Sequence, residues 1–542
     1  MKNKFFWLLI PFLLYSCARV GSPVGGKKDT LAPKFLGANI DSTRVKVPRN
    51  QKELKLYFDE YVVLKDISKN LIISPPIKNI KKILPTNLAN KFILIQWQDS
   101  LQANTTYSFN FGNSITDNNE SNVLPYFNFA FSTGDKIDDL YISGTVKNIF
   151  SKNKSTDKKN CVVGLYQDKD SMDYRKKPYY ITKADDDGYY ELNYLSPGNY
   201  RILAFDDENA NSVYDAGKEN VGFLAKKLEL NKNTSGLDLN IMPSKKTLKS
   251  VETKIIPGGV LLTFEGNPNK VEVQSETEKL KDYKVTQSAK SDSVFVWFDA
   301  KKQEIGTTAS ENLKLNYDAD SKKGKASVFY KYNPKNEMQI SNRGANLLPP
   351  KKDFVITANM PVQKILTEKW DLKSDSISQP LVAKISEKNP FQILVSSDFK
   401  PGKKYQLTVP KETVLSYYDQ VTKPYRFDFE QDKIENYGTF TLKLTNKPKQ
   451  QFWIQLLNDK GDVQYEKLTI DAETKFTELK PGTYNLRILV DNNGNLRWDE
   501  GDFANSQFAE DVFLFNKNIE VRTLWEIVED WDLNKKEETP KK

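Results

Sequence analysis

The sequence predicts an all-β protein, built as an elongated array of about five β-sandwich domains. Three observations carry that prediction. Long apolar stretches with a 3.6-residue period are absent. Tyr, Phe, Val and Thr recur in short alternating runs broken by Gly, Pro and Asn, and aromatic residues make up 12% of the chain. Finally, one stretch occurs twice. Residues 195–219 read LSPGNYRILAFDDENANSVYDAGKE, and 284 positions later residues 479–503 read LKPGTYNLRILVDNNGNLRWDEGDF. Leu195, Pro197, Gly198, Tyr200, Asp207, Asn209, Asn211, Asp215 and Gly217 recur as Leu479, Pro481, Gly482, Tyr484, Asp491, Asn493, Asn495, Asp499 and Gly501. Such an ungapped match marks an internal repeat and sets how the chain divides. A chain of 542 residues has room for several such domains.

Composition excludes whole classes of chemistry. The chain has no histidine, which removes imidazole bases, Ser-His triads and His-ligated zinc or iron. No G-x-G-x-x-G or P-loop occurs, and no carboxylate pair stands in a recognisable glycosidase setting. The expectation is a protein that is not an enzyme. Only Cys17 and Cys161 are present, so no disulfide framework follows, and Cys161 is expected to be a small core residue.

The amino terminus carries a processing pattern. Lys2 and Lys4 form a basic region, residues 5–14 an apolar run too short to span a bilayer comfortably, and residues 15–17 a cleavage site. Leu14-Tyr15-Ser16-Cys17 resembles a bacterial lipobox, with Tyr15 bulkier than the usual small residue. The resemblance implies lipidation at Cys17 and a stable anchor through multiple acyl chains. Ala18 is not the Asp associated with inner-membrane retention, which implies the outer membrane. Bacteroidota-type lipoproteins often carry an acidic export signal after this cysteine, and residues 18–21 lack one, so the leaflet stays open. Loss of residues 1–16 leaves 78 basic against 71 acidic side chains, scattered rather than clustered, so no nucleic-acid partner is expected. The expected partners are the outer membrane, through the anchor, and an outer-membrane protein.

In chain order the divisions are a signal peptide at 1–16, a lipidated Cys and flexible tether at 17–32, and domains at 33–136, 137–245, 246–335, 336–432 and 433–525. A charged tail at 526–542 follows. Strands are predicted at 54–58, 92–95, 107–109 and 127–131. The landmarks Phe58-Asp59-Glu60, Ile73-Ser74-Pro75-Pro76 and Phe129-Ala130-Phe131-Ser132-Thr133-Gly134 resemble the bacterial Ig-like domain of the S-layer type. Further strands fall at 142–146, 162–166, 180–182 and 189–192. Asp187-Gly188 followed by L-x-P-G-x-Y resembles the prealbumin-like sandwiches of carboxypeptidase regulatory domains and of adhesin B repeats. Residues 246–335 alternate as a sandwich of no assigned family. A constant offset of 298 then relates Tyr107, Phe127, Phe129 and Phe131 to Tyr405, Tyr425, Phe427 and Phe429, predicting a second Ig-like copy.

The repeated D-x-N-x-N-x-x-x-D loop is the one candidate site. Alternate positions can wrap oxygen around one centre, as at the start of an EF-hand loop. In the first copy Asp207, Asn209, Asn211 and Asp215 would supply side-chain oxygens, Val213 a carbonyl, and Glu219 the closing carboxylate. In the second, Asp491, Asn493, Asn495 and Asp499 would do so, with the Arg497 carbonyl and Asp502 closing. An all-oxygen shell of low charge suits Ca2+ over zinc or copper, and the resembling adhesin repeats imply comparable calcium loops. Two features depart from the pattern: Ser212 and Leu496 stand where an EF-hand has Gly, and Glu219 lies one place late. The alternative is an Asx-rich turn held by its own hydrogen bonds. Two functions are expected to compete: a lipid-anchored scaffold or accessory subunit of an outer-membrane complex, such as one for β-barrel assembly or secretion, and a surface glycan-binding or adhesive lipoprotein.

Overall fold

The computed structural model describes residues 28–152, 160–169, 172–287 and 291–534. Cys17, the signal peptide and most of the tether lie outside the described residues. The rest is an array of β-sandwiches, with helix confined to single turns among the described residues.

The first sandwich shows how alternation makes a core. Glu53–Leu64 sends Leu54, Leu56 and Phe58 inward, with Lys55 and Tyr57 on the other face. It pairs with Asn90–Trp97 and faces Thr106–Gly112, which pairs with Phe127–Ser132. There Tyr107 lies opposite Phe131, their rings 5.7 Å apart. The Tyr107 hydroxyl accepts the Gln102 N–H at 2.8 Å. The fourth sandwich repeats this at the predicted offset: Tyr405 lies opposite Phe429 with rings 5.6 Å apart, and its hydroxyl accepts the Lys400 N–H at 2.8 Å.

The second and fifth sandwiches share one topology. Leu140–Asn148 pairs antiparallel with Tyr189–Leu195 and parallel with Leu239–Ile241. Gly438–Thr445 pairs antiparallel with Glu473–Leu479 and parallel with Glu526–Asp532. In the facing sheets, Cys161–Gln167 runs between Tyr180–Lys183 and Gly198–Asp206, and Phe452–Leu457 between Val463–Thr469 and Gly482–Val490. Glu526–Asp532 corrects the expected tail. Trp531 is buried against Phe515, while acidic residues occupy the solvent face and make the segment read as charged. Cys161 is buried as expected, and burial pushes its thiol pKa well up, so it is inert.

The third sandwich places Gly259–Glu265 between Lys249–Ile256 and Ser293–Trp297, facing Glu311–Ala319. Neighbouring sandwiches dock. Between first and second, Ser74 Oγ accepts the Ile181 N–H at 3.1 Å and Lys183 Nζ donates to the Lys69 carbonyl at 2.7 Å. Between third and fourth, Trp297 joins the fourth core, 6.0 Å from Phe391.

Candidate functional site

Each acidic loop begins where a core strand ends. Gly198–Asp206 and Gly482–Val490 are fixed at their starts by tyrosine. Tyr200 donates to the Ser196 carbonyl at 2.9 Å, and Tyr484 to the Lys480 carbonyl at 2.8 Å. Both strands end in buried carboxylates, Asp207 at 2% and Asp491 at 0% exposure. The two oxygens of Asp207 accept the N–H groups of Asn211 (3.0 Å) and Ser212 (2.9 Å). Asp491 accepts those of Asn495 (3.0 Å) and Leu496 (2.8 Å) in the same way. Asn211 accepts the Val213 N–H and Asn495 that of Arg497, both at 2.7 Å. Asn209 donates to Asp215 at 2.7 Å and Asn493 to Asp499 at 2.6 Å. Ser212 and Leu496 hold φ near +59°, the left-handed conformation that an EF-hand assigns to glycine, so the departure in residue type leaves the backbone path intact.

The closing carboxylates separate the two copies. Glu219 accepts the N–H groups of Glu208 (3.0 Å) and Asp215 (2.9 Å). Asp502, expected to do the same in the second loop, does not. It caps the single turn Phe503–Asn505 and pairs with Lys245 at 3.4 Å. The equivalent of Glu219 is Glu510, which accepts Asn492 N at 2.7 Å and Asp499 N at 2.9 Å. Residues inserted after Gly501 delay the closing residue and conceal it from an ungapped alignment. The signal that could have found it is Glu510 itself, the next glutamate after the repeat ends.

Burial raises Glu219 to about 6, and Asp207 and Asp215 add repulsion, while the backbone N–H groups oppose the shift. Glu510 is raised by the same causes. Among the described residues no group of three Asp, Glu, Cys or His forms a metal-ligand set, so any cation here would also need the asparagine oxygens. A half-turn of the Asn209 or Asn493 amide would present oxygen in place of nitrogen. The oxygen set and its clustered negative charge fit a hard cation, and the hydrogen bonds equally close a self-sufficient turn.

The loops also meet at a junction that the sequence did not announce. Residues 242–245, leading out of the second sandwich, form a strip between them. Ser244 Oγ lies 2.6 Å from the Tyr214 hydroxyl on the first loop. On the other side, Gly501 N donates to the Pro243 carbonyl (2.9 Å) and Lys245 N to the Gly501 carbonyl (2.8 Å). The inserted residues of the fifth sandwich then enter the second. Phe503 lies edge-on to Tyr174 at 4.5 Å and to Phe223 at 5.2 Å, while Phe508 stacks on Phe223 at 4.9 Å. Contacts return from the second sandwich: Phe150 meets Trp498 at 5.1 Å, and Lys152 Nζ donates to Asn485 at 2.8 Å. Arg497 also donates to the Asn267 carbonyl of the third sandwich at 2.7 Å. The array thus doubles back, joining its second, third and fifth sandwiches around the paired loops.

Comparison with protein families supports an Ig-like fold for the first sandwich. Residues 29–133 match the bacterial Ig-like domain family. No curated protein matches the chain. Among solved structures, the surface layer protein SbsC, domains 1–6, is 9% identical, with 90% of this chain and 67% of that one covered and a TM-score of 0.16. The Bacteroides ovatus mixed-linkage glucan utilization locus protein SGBP-B is 11% identical, covering 68% and 89%, with a TM-score of 0.18. The Bacillus cereus major pilin subunit BcpA is 11% identical, covering 73% and 99%, with a TM-score of 0.13.

Proposed function

We propose that the chain is a non-enzymatic lipoprotein, anchored to the outer membrane through Cys17, that acts as a scaffold or accessory subunit of an outer-membrane protein complex. The observation that carries this reading is the junction of the second, third and fifth sandwiches. It holds domains far apart in sequence in one fixed relation, as a part presenting several docking surfaces requires. Freely swinging spacers need no such contact. The paired loops serve this junction as structural elements, with Ca2+ proposed as the ion that would occupy them. Affinity purification from detergent-solubilised membranes tests the reading. Stoichiometric co-purification with an outer-membrane barrel is expected, and Cys17→Ala should release the protein from the membrane fraction.

A second reading, a glycan-binding or adhesive surface protein, draws on the exposed rings of the first sandwich. Tyr61 is 57% and Tyr126 80% exposed. A monomer that shifts on a polysaccharide gel, with no barrel partner, would favour it.

A further inference from the structure

A cleft of about 360 Å3 opens where the third and fourth sandwiches meet. Its walls come from three turns: residues 299–301 after Ser293–Trp297, residues 332–337 joining the two sandwiches, and residues 416–419 after Val414–Leu415. The walls are held firmly. At Gly258 an added Cβ would lie 2.9 Å from Met360 Sδ, so the Met360 side chain of the fourth sandwich packs directly on the Gly258 backbone of the third. Tyr418 of the fourth sandwich donates to Asp282 of the third at 2.8 Å.

The lining combines two chemistries. Tyr332, Tyr417 and Tyr418 contribute half-buried rings, and Asp299, Glu337 and Asp419 contribute carboxylates, with exposed Lys301 at the edge. Each carboxylate is oriented by one local donor or two. Asp419 accepts Met338 N at 2.9 Å and Gln420 N at 2.8 Å, Glu337 accepts Thr422 Oγ1 at 2.7 Å, and Asp299 accepts Lys302 N at 2.8 Å. Among the described residues none of the three is ion-paired. Burial raises Asp419, the Gln420 and Met338 N–H groups oppose the shift, and the charges of Glu337 and Asp299 raise it further, so the cleft wall gathers like charge. A neutral ligand would leave that repulsion in place. A cation would remove it, and tyrosine faces attract cations through their ring quadrupoles.

We propose that this cleft is a binding site for a basic side chain, guanidinium or ammonium, presented by a partner protein. The source of the side chain rests on the scaffold reading; the cation preference does not. Calorimetry on the chain from Ala18 onward, with a tetra-arginine peptide at moderate salt, tests it. Saturable binding is expected, weakening as salt rises. Glu337→Gln with Asp299→Asn should weaken it by about ten-fold or more. Should that double variant fold poorly, Lys301→Glu, on an exposed side chain, should tighten binding several-fold. Equal affinity in wild type and variants would overturn the proposal, as would displacement of the peptide by neutral maltohexaose. A failed barrel purification with these binding results intact would sink the scaffold reading alone.

Discussion

Asp207 and Asp491 each use both carboxylate oxygens to hold the backbone of their loops, and Glu219 and Glu510 close those loops from the far side. Four buried acids therefore stand in two small turns and concentrate like charge there. If Ca2+ occupies the loops it offsets this repulsion, and occupancy stabilises the fold by mass action. EDTA should then lower the melting temperature, with Ca2+ restoring it better than Mg2+, and Asp207→Ala combined with Asp491→Ala should abolish the difference. No calcium heat by calorimetry at millimolar concentration would leave hydrogen-bonded turns.

The closing residues make a sharper pair of variants. Glu510→Gln should speed amide exchange at Asn492 and Asp499, because their acceptor loses its charge; Asp502→Asn should leave those amides protected. The reverse result would restore Asp502 to the loop. Glu219 adds a pH signature. Its folded pKa of about 6 lies above the ordinary glutamate value, so folding takes up a proton as pH falls through that window. In calcium-free buffer the wild type should gain about 1–2 kcal/mol over Glu219→Gln between pH 7 and pH 5. A constant difference across that range would refute the shift.

At the scale of elements, much of the chain could be read in advance because strand alternation and tyrosine placement are local. The 298-residue offset recovered Tyr107 and Tyr405 in matching registers, and the L-x-P-G-x-Y motif located both loop-bearing strands. Two elements escaped. Glu526–Asp532 shows acids to solvent, so its inward Trp531 was outvoted by charge. The inserted residues after Gly501 lie outside the repeat, so their partner could not be inferred from it. A clue to that partner was nevertheless present. Cys161–Gln167 reads CVVGLYQ, without alternation, and its first six residues are buried. A continuous apolar run implies a strand covered on both faces. The outer cover is the core containing Val162, Tyr166, Phe205, Tyr214 and Phe223, onto which Phe503 and Ala509 pack. Phe503→Ala with Phe508→Ala should therefore cost several kcal/mol at the junction while each sandwich stays folded. Limited proteolysis should then cut near residues 242–245 sooner than in wild type, whereas an unchanged cleavage pattern would mean the aromatic contacts carry little of the docking.

At the scale of the whole molecule, the doubling back follows from contacts separated by 230 residues or more, which no local pattern encodes. The scaffold reading depends on a fixed relation of the second and fifth sandwiches. Spin labels placed at exposed Tyr189 on the second sandwich and Val463 on the fifth would report it through electron–electron dipolar distances. Buried Cys161 should escape labelling, and the chain can begin at Ala18 to remove Cys17. One narrow distance distribution is expected, broadening and lengthening in the Phe503→Ala, Phe508→Ala background. A broad, long distribution already in the wild type would contradict it.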